Sequence, residues 1–194
     1  MDELILFYYY CWLLCLLIYF FMPKSTVRTV SFIWILVFIL TSQFYVPFAS
    51  IQVSLSFIVL LIGTLILVGL SIYRLYEFIV SFICMISSAG LLMWEKTAPV
   101  LFFMPSKIIV PFLIVMIILF LVKTLSQRVI IAVVGLTLGQ LLYEMILIIY
   151  YLHYTIGDYV YVTYLLMTVL LLVVVECLKR CVKIMFYYTK ALLH

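Results

Sequence analysis

The sequence predicts an all-α fold, a polytopic transmembrane helix bundle of about seven spans with the N-terminus outside and the C-terminus in the cytoplasm. Three observations predict this fold. Of the 194 residues, 70% are hydrophobic and only 9% are charged, whereas a soluble domain carries about 25% charged residues. The apolar residues form long continuous runs, which favour helices over the alternating strands of a membrane barrel. The basic residues fall in alternate connections between those runs.

The apolar runs divide the chain into seven expected spans, each compared with the roughly 20 residues that cross a hydrocarbon core. Their approximate ranges are 4–22, 30–47, 51–72, 77–94, 108–122, 129–152 and 159–178. The second and third are separated only by "VPFAS", but one helix over 30–72 would be about 65 Å long. Pro47 lies near the middle of that stretch and would break such a helix. Two spans are therefore expected there, and the short fifth run is the weakest of the seven.

The two ends of the chain complete this organisation. The N-terminus is acidic where a secretory signal is basic, so the first run is expected to stay as a permanent span. Residues 1–178 are expected to form the bundle, and residues 179–194 a basic cytoplasmic tail.

The distribution of Lys and Arg predicts the orientation. Of the 11 basic residues, all but Lys96 and Lys107 lie in the first, third and fifth connections and the tail. Basic residues accumulate on the cytoplasmic side of a membrane. Because orientation already explains them, no nucleic-acid partner is expected. The tail is expected to contact anionic lipid. The other expected partners are the lipid bilayer itself and a homo- or hetero-oligomer.

Glu144 is the only charged residue that this division places well inside a span. It lies about 12 Å below the outer end of the sixth span. A charge at such depth faces protein or water rather than lipid, or the carboxyl group carries a proton. At about 100° per residue, Thr137 and Gln140 fall on the same helix face as Glu144. Gly135 and Gly139 form a GxxxG pair on roughly the opposite face, where another helix can approach closely.

A polar cluster around Glu144 is the one candidate site. We expect it to draw on polar residues at similar depth in other spans, and its expected members are Glu144, Gln140, Thr137, Gln43, Ser42, Ser87 and Ser88. The alternative is that these groups form only interhelical hydrogen bonds, worth about 0.6 kcal/mol each on average. The sequence leaves both interpretations open.

Other chemistry has little support in the sequence. No HExxH, GxSxG or phosphate-binding glycine loop is present, so no catalytic residue, cofactor or metal site is expected, and an enzyme is not expected. Arg74 and Glu77 are three residues apart at a helix start and are expected to form a local ion pair.

Three stretches carry a family resemblance. "LILFYYYCWLLCLLIYFFMPKSTVRT", "EKTAPVLFFMPSK" and "GQLLYE" resemble the YphA-like family of small bacterial multi-pass membrane proteins. The resemblance extends over nearly the whole chain and rests on aromatic-rich apolar segments. It implies a multi-pass protein of the bacterial plasma membrane. That family has no established activity, so the resemblance assigns no role to any residue.

Two functions follow as hypotheses. The first is a structural or interaction component of a membrane assembly, because the short connections leave no room for a soluble domain. The alternative is a small-solute or proton-coupled transporter that uses the polar pocket around Glu144.

Overall fold

The computed structural model describes residues 2–21, 24–48, 51–70, 75–97, 106–150 and 155–192. In these ranges the chain forms seven helices and one small three-stranded sheet, so the expected all-α class is confirmed. The helices are α1 (Asp2–Phe21), α2 (Thr26–Thr41), α3 (Leu55–Leu70), α4 (Leu75–Thr97), α5 (Ser106–Leu121), α6 (Leu125–Ile149) and α7 (Tyr159–Leu192). The strands are β1 (Tyr45–Phe48), β2 (Ile51–Ser54) and β3 (Thr155–Ile156).

One end of the bundle holds the sheet, and we call it the sheet end. Here β1 pairs antiparallel with β2, and β2 pairs parallel with β3. The hydroxyl of Tyr159, which begins α7, donates to the carbonyl of Ser42 at the end of α2, 2.9 Å away. The amide nitrogen of Gln43 donates to the hydroxyl of Tyr8 in the first half of α1, also at 2.9 Å. The start of α1, the end of α2 and the start of α7 therefore lie together.

The opposite end is called the arginine end, after Arg128 in the first turn of α6. The hydroxyl of Tyr76, at the start of α4, donates to the carbonyl of Leu121 at the end of α5, 2.5 Å away. Arg128 contacts Glu176 in the second half of α7. The helices described at both ends therefore alternate in direction along the chain.

Helices α6 and α7 lie at the centre of the bundle. Helix α6 packs against α3, α4, α5 and α7, and its most extensive contact is with α4. Helix α7 packs against α1, α5 and α6. Ile131, Ala132 and Leu136 of α6 are almost completely buried. This arrangement agrees with the sequence analysis, which expected a polar face and a close-packing glycine face on opposite sides of this helix.

The outer faces of the helices are apolar. Phe120, Leu75 and Phe20 expose 91%, 80% and 73% of their surface. A soluble protein of this size would not expose so many large apolar side chains over its whole circumference. The solvent of these faces is therefore lipid.

The connection between α2 and α3 corrects the expected spans 30–47 and 51–72. Helix α2 ends at Thr41 and α3 begins at Leu55, and residues 45–48 pair with residues 51–54 as two antiparallel strands, which we call the hairpin, instead of forming helix ends. The hydroxyls of Thr41 and Ser42 bond back to the carbonyls of Val37 and Ile39, at 2.9 and 2.8 Å, and satisfy the end of α2. Pro47, which cannot donate a backbone hydrogen bond, lies on the edge strand β1, where it is tolerated.

Two further helix bounds differ from the expected ones. Helix α6 begins at Leu125 rather than near residue 129, so Arg128 belongs to the helix and not to the preceding connection. Helix α7 continues from Tyr159 to Leu192 without a break at residue 178. The division into residues 1–178 and 179–194 thus falls inside one helix.

Candidate functional site

A cavity of about 260 Å³ opens at the sheet end between α4, α5, α6 and the start of α7. Its lining combines carboxylates, lysines, an amide and tyrosines. The lining residues are Leu92, Glu95, Lys96, Lys107, Gln140, Tyr143, Glu144, Asp158, Val160, Tyr161 and Tyr164.

The floor of the cavity is formed by Gln140 and Glu144, one helical turn apart on α6. Each is only 2% exposed. The amide nitrogen Nε2 of Gln140 donates to Oε1 of Glu144 at 2.6 Å. Among the described residues, no donor reaches Oε1 of Gln140. The buried hydroxyl of Tyr161 lies beside that of Thr137 but forms no hydrogen bond of ordinary geometry with a described residue. The floor therefore contains polar atoms whose hydrogen-bonding capacity the described residues do not fully use.

The wall and the mouth carry the other charges. Tyr164, on α7, donates its hydroxyl to both carboxylate oxygens of Glu95 at the end of α4, at 2.9 and 3.0 Å. Oδ1 of Asp158 accepts the backbone N–H of Tyr159 at 2.7 Å and so caps the start of α7. Lys96 is exposed and Lys107 is half-buried. In the described ranges, the charged side chains of the lining are thus three carboxylates and two lysines.

Tyr45, on strand β1 of the hairpin, lies close to Tyr159 and Asp158 at the mouth of the cavity. Burial, together with the neighbouring Tyr159 and Asp158, raises the pKa of Tyr45 to about 12. Its hydroxyl therefore keeps its proton at neutral pH.

The structure brings only part of the expected polar cluster together. Of its seven residues, Gln140 and Glu144 line the cavity. Thr137 is buried on the same helix, and its hydroxyl donates to the carbonyl of Val133 at 2.6 Å. Ser42 is buried near the start of α7, whereas Gln43 is exposed and bonded to α1.

Ser87 and Ser88 lie on α4, outside the cavity lining. Ser87 is half-buried. Ser88 is buried, and its hydroxyl donates to the carbonyl of Met85 at 3.0 Å. It contacts the glycine face of α6 described next, so its role here is in helix packing.

Gly135 and Gly139 lie against α4. A Cβ atom on Gly135 would stand 2.6 Å from Cβ of Cys84. A Cβ atom on Gly139 would overlap the hydroxyl of Ser88 and stand 2.9 Å from the carbonyl oxygen of Met85. Because glycine has no side chain, α4 and α6 can approach closely at these two positions. This contact orients α6 so that its opposite face borders the cavity.

A second polar cluster at the arginine end escaped the sequence analysis. Arg128 is 5% exposed; its Nη1 lies 3.2 Å from Oε2 of Glu176, and its Nε donates to the carbonyl of Val122 at 2.8 Å. Glu77, buried at the start of α4, accepts a hydrogen bond from Nε2 of Gln127 at 2.5 Å. Glu144 is thus not the only charged residue buried in the bundle.

The expected pair between Arg74 and Glu77 can be followed only on one side. Arg74 lies outside the described residues, and Glu77 bonds to Gln127 of α6. The sequence did contain a signal for the cluster around Arg128: Arg128 and the glutamates Glu77 and Glu176 are opposite charges at the same end of different helices.

The comparisons with known proteins place the chain in a family. The sequence model of the YphA-like integral membrane protein family matches residues 3–192. This chain belongs to that family. No curated protein and no solved structure matches it. Membership in the YphA-like family makes it an integral membrane protein, as its composition predicts.

The helices of this YphA-like protein differ in length. By length and composition, three helical stretches can cross a membrane: Leu75–Thr97, Leu125–Ile149 and Tyr159–Lys179. The shorter apolar helices are Leu4–Phe20, Thr26–Thr41, Leu55–Gly69 and Lys107–Leu121. Within the described part of the chain, no group of three or more His, Cys, Asp or Glu side chains is placed to hold a metal ion.

Proposed function

We propose that this protein takes up a small polar solute into the sheet-end cavity and carries it across a bacterial plasma membrane. In this proposal the chain crosses the membrane seven times, with its N-terminus outside and its C-terminus in the cytoplasm. The cavity then opens to the outside. Glu144 and Gln140 bind the solute, and coupling to protons is assigned to Glu144.

The alternating direction of the helices and the charge distribution support this topology. Lys123, Arg128 and Lys179 fall at the arginine end, which is therefore the cytoplasmic end. A helix of 16 residues, such as α2, is about 24 Å long, a few ångströms short of a hydrocarbon core of about 30 Å. A locally thinner bilayer accommodates such a difference at modest cost. The basic residues beyond Leu178 are then placed for contact with anionic headgroups.

The single observation that carries the solute-binding proposal is the open cavity that reaches Gln140 and Glu144. Glu144 borders about 260 Å³ of space. Beside it, the buried amide oxygen of Gln140 has no hydrogen-bond donor among the described residues. Polar groups that converge in a concave site are the usual mark of a ligand site.

The bundle is closed between this cavity and the arginine end. Going from Gln140 toward Arg128, α6 presents the buried apolar residues Leu136, Ala132 and Ile131. Val80 and Cys84 of α4 are buried at the same level. The structure therefore corresponds to a conformation open toward the sheet end, and transport requires a second conformation in which the arginine end opens.

The test uses the purified protein in proteoliposomes with an internal pH dye. A mixture of labelled amino acids, amines, organic acids and sugars is offered outside, and the accumulated solutes are identified. Glu144→Gln keeps the size and hydrogen bonding of the side chain but removes its charge. We expect a folded variant whose solute or proton flux falls to the level of empty vesicles.

The alternative is a structural or interaction component of a membrane assembly, favoured by the short connections between the helices. It predicts that Glu144→Gln changes no flux, while Glu144→Leu lowers the stability of the bundle by breaking the bond to Gln140. That pair of results would overturn the transport proposal. Association in a homo- or hetero-oligomer belongs to this alternative. No enzymatic role is proposed.

A further inference from the structure

We infer that the floor of the cavity binds a primary ammonium group, supplied by a small organic amine or by an amino acid. This inference rests on the proposal that the cavity is the solute site, and it names the chemical class of the solute. It follows from the hydrogen-bonding capacity left open at the floor, from the charge of the lining and from the size of the cavity.

The orientation of the Gln140 amide defines the first requirement. Its Nε2 faces Oε1 of Glu144 at 2.6 Å. With Glu144 ionised, rotating the amide by 180° would bring two acceptor oxygens to that distance, so the ionised carboxylate sets the orientation of the amide. The amide oxygen of Gln140 then lies buried without a donor among the described residues. A buried acceptor of this kind is unfavourable unless a ligand or water donates to it.

Tyr161 supplies the second requirement. Its hydroxyl lies beside that of Thr137 without a hydrogen bond of ordinary geometry to a described residue, and Tyr161 lines the same cavity. A hydroxyl accepts as well as donates. With the Glu144 carboxylate, which also accepts from Gln140, the floor thus presents three acceptor groups. A primary ammonium has three N–H donors and no acceptor, which matches this set.

The charge of the lining also favours a cation. Among the described residues, three carboxylates and two lysines line the cavity. The rings of Tyr143, Tyr161 and Tyr164 add aromatic surface, which attracts ammonium groups. Lys96 and Lys107 lie toward the mouth, where α4 ends and α5 begins. If the ligand is an amino acid, its carboxylate faces the exposed Lys96.

The size of the cavity suits a small solute. Its volume is about 260 Å³, and it is open on one side. A solute of several non-hydrogen atoms fits within it.

The first experiment measures ligand binding to the full chain in lipid nanodiscs, by calorimetry and by thermal stabilisation at constant ionic strength. The probes are propylammonium, β-alanine, tetramethylammonium, propionate and sodium chloride. We expect propylammonium or β-alanine to bind at least tenfold more tightly than tetramethylammonium, which has the same charge as propylammonium but no N–H donor. The tighter of the two identifies the source as a simple amine or an amino acid. Equal binding of tetramethylammonium or sodium, or preference for propionate, would overturn the inference.

The second experiment uses variants of the floor. Gln140→Leu and Tyr161→Phe each remove one proposed acceptor, and we expect each to weaken binding of the preferred ammonium probe about tenfold or more. Tyr161→Phe keeps the shape of the side chain, so it tests the inference even if Gln140→Leu does not fold. Gln43→Leu removes an amide at the same end outside the cavity and is the matched control, expected within twofold of the wild type. Floor variants that bind like this control contradict the inference.

The two proposals fail in different ways. Ammonium binding without flux in proteoliposomes would retain this inference and refute transport. Flux of an anion or a sugar that depends on Glu144 would retain transport and refute the ammonium.

Discussion

Arg128 is a buried cation whose environment is almost fully satisfied by the protein. Its guanidinium contacts Glu176 of α7 and the carbonyl of Val122, which follows α5. A buried charge that loses its partner is far more costly than the pair is stabilising. At the arginine end, the ion pair therefore joins α6 to α7, and the hydrogen bond to Val122 joins α6 to the end of α5.

We predict that Glu176→Leu lowers the free energy of unfolding by about 3 kcal/mol, because it leaves Arg128 buried and unpaired. Glu176 retains 23% side-chain exposure, which keeps the loss at the lower end of the range for buried pairs. The double variant Arg128→Met/Glu176→Leu should recover much of that loss. A double-mutant cycle by denaturant titration in detergent measures the coupling. Additive losses would show that the two side chains do not interact.

The residues of the candidate site were predictable to different degrees. Glu144 stands out as an acid in an apolar run, and Gln140 follows from helical spacing. Glu95 and Asp158 were not predicted as members of the site, because depth along a helix does not reveal which other helices lie beside it. Arg128 was assigned to a connection because the start of α6 was placed four residues late.

The helices were more predictable than the sheet. Continuous apolar runs identified all seven helices, since a membrane helix has a simple composition signal. The hairpin of β1 and β2 did not have one. Its residues, among them Tyr45, Val46 and Val53, are aromatic and β-branched, and they are as apolar as the helices they join. Hydropathy alone cannot separate such strands from helix ends.

The contact between α4 and α6 is the element on which the cavity depends. We predict that Gly139→Ala lowers the free energy of unfolding by about 1–3 kcal/mol, because the added methyl group overlaps Ser88 and a backbone carbonyl. Because α6 also carries Gln140, the same variant should weaken binding at the cavity. Chemical denaturation in detergent and the ligand assay give the two readouts.

Gly90→Ala is the matched control for this prediction. Gly90 lies on α4, and a Cβ atom there would meet nothing within 4 Å. It should leave stability unchanged or raise it slightly, because alanine is the better helix former. Equal losses for the two variants would mean that close packing at Gly139 is not the cause.

The whole molecule carries two polar regions, one at each end of α4, α6 and α7, separated by a buried apolar layer. At the sheet-end cavity, the buried amide oxygen of Gln140 has no donor among the described residues, whereas at the arginine end Arg128 and Glu77 bond to Glu176 and Gln127. The first pattern is typical of a binding site and the second of a closed contact. Which end faces the cytoplasm therefore decides the direction in which a solute enters.

We predict that the arginine end is cytoplasmic, and the native cysteines provide the test. Cys181 is exposed near the end of α7, whereas Cys11, Cys15 and Cys84 are buried. A membrane-impermeant maleimide should label Cys181 only after the cells are permeabilised. In a Cys177→Ser/Cys181→Ser background, Gln52→Cys on the exposed hairpin should be labelled in intact cells. The reverse pattern would invert the bundle, so that the cavity opened to the cytoplasm and the proposed uptake became export.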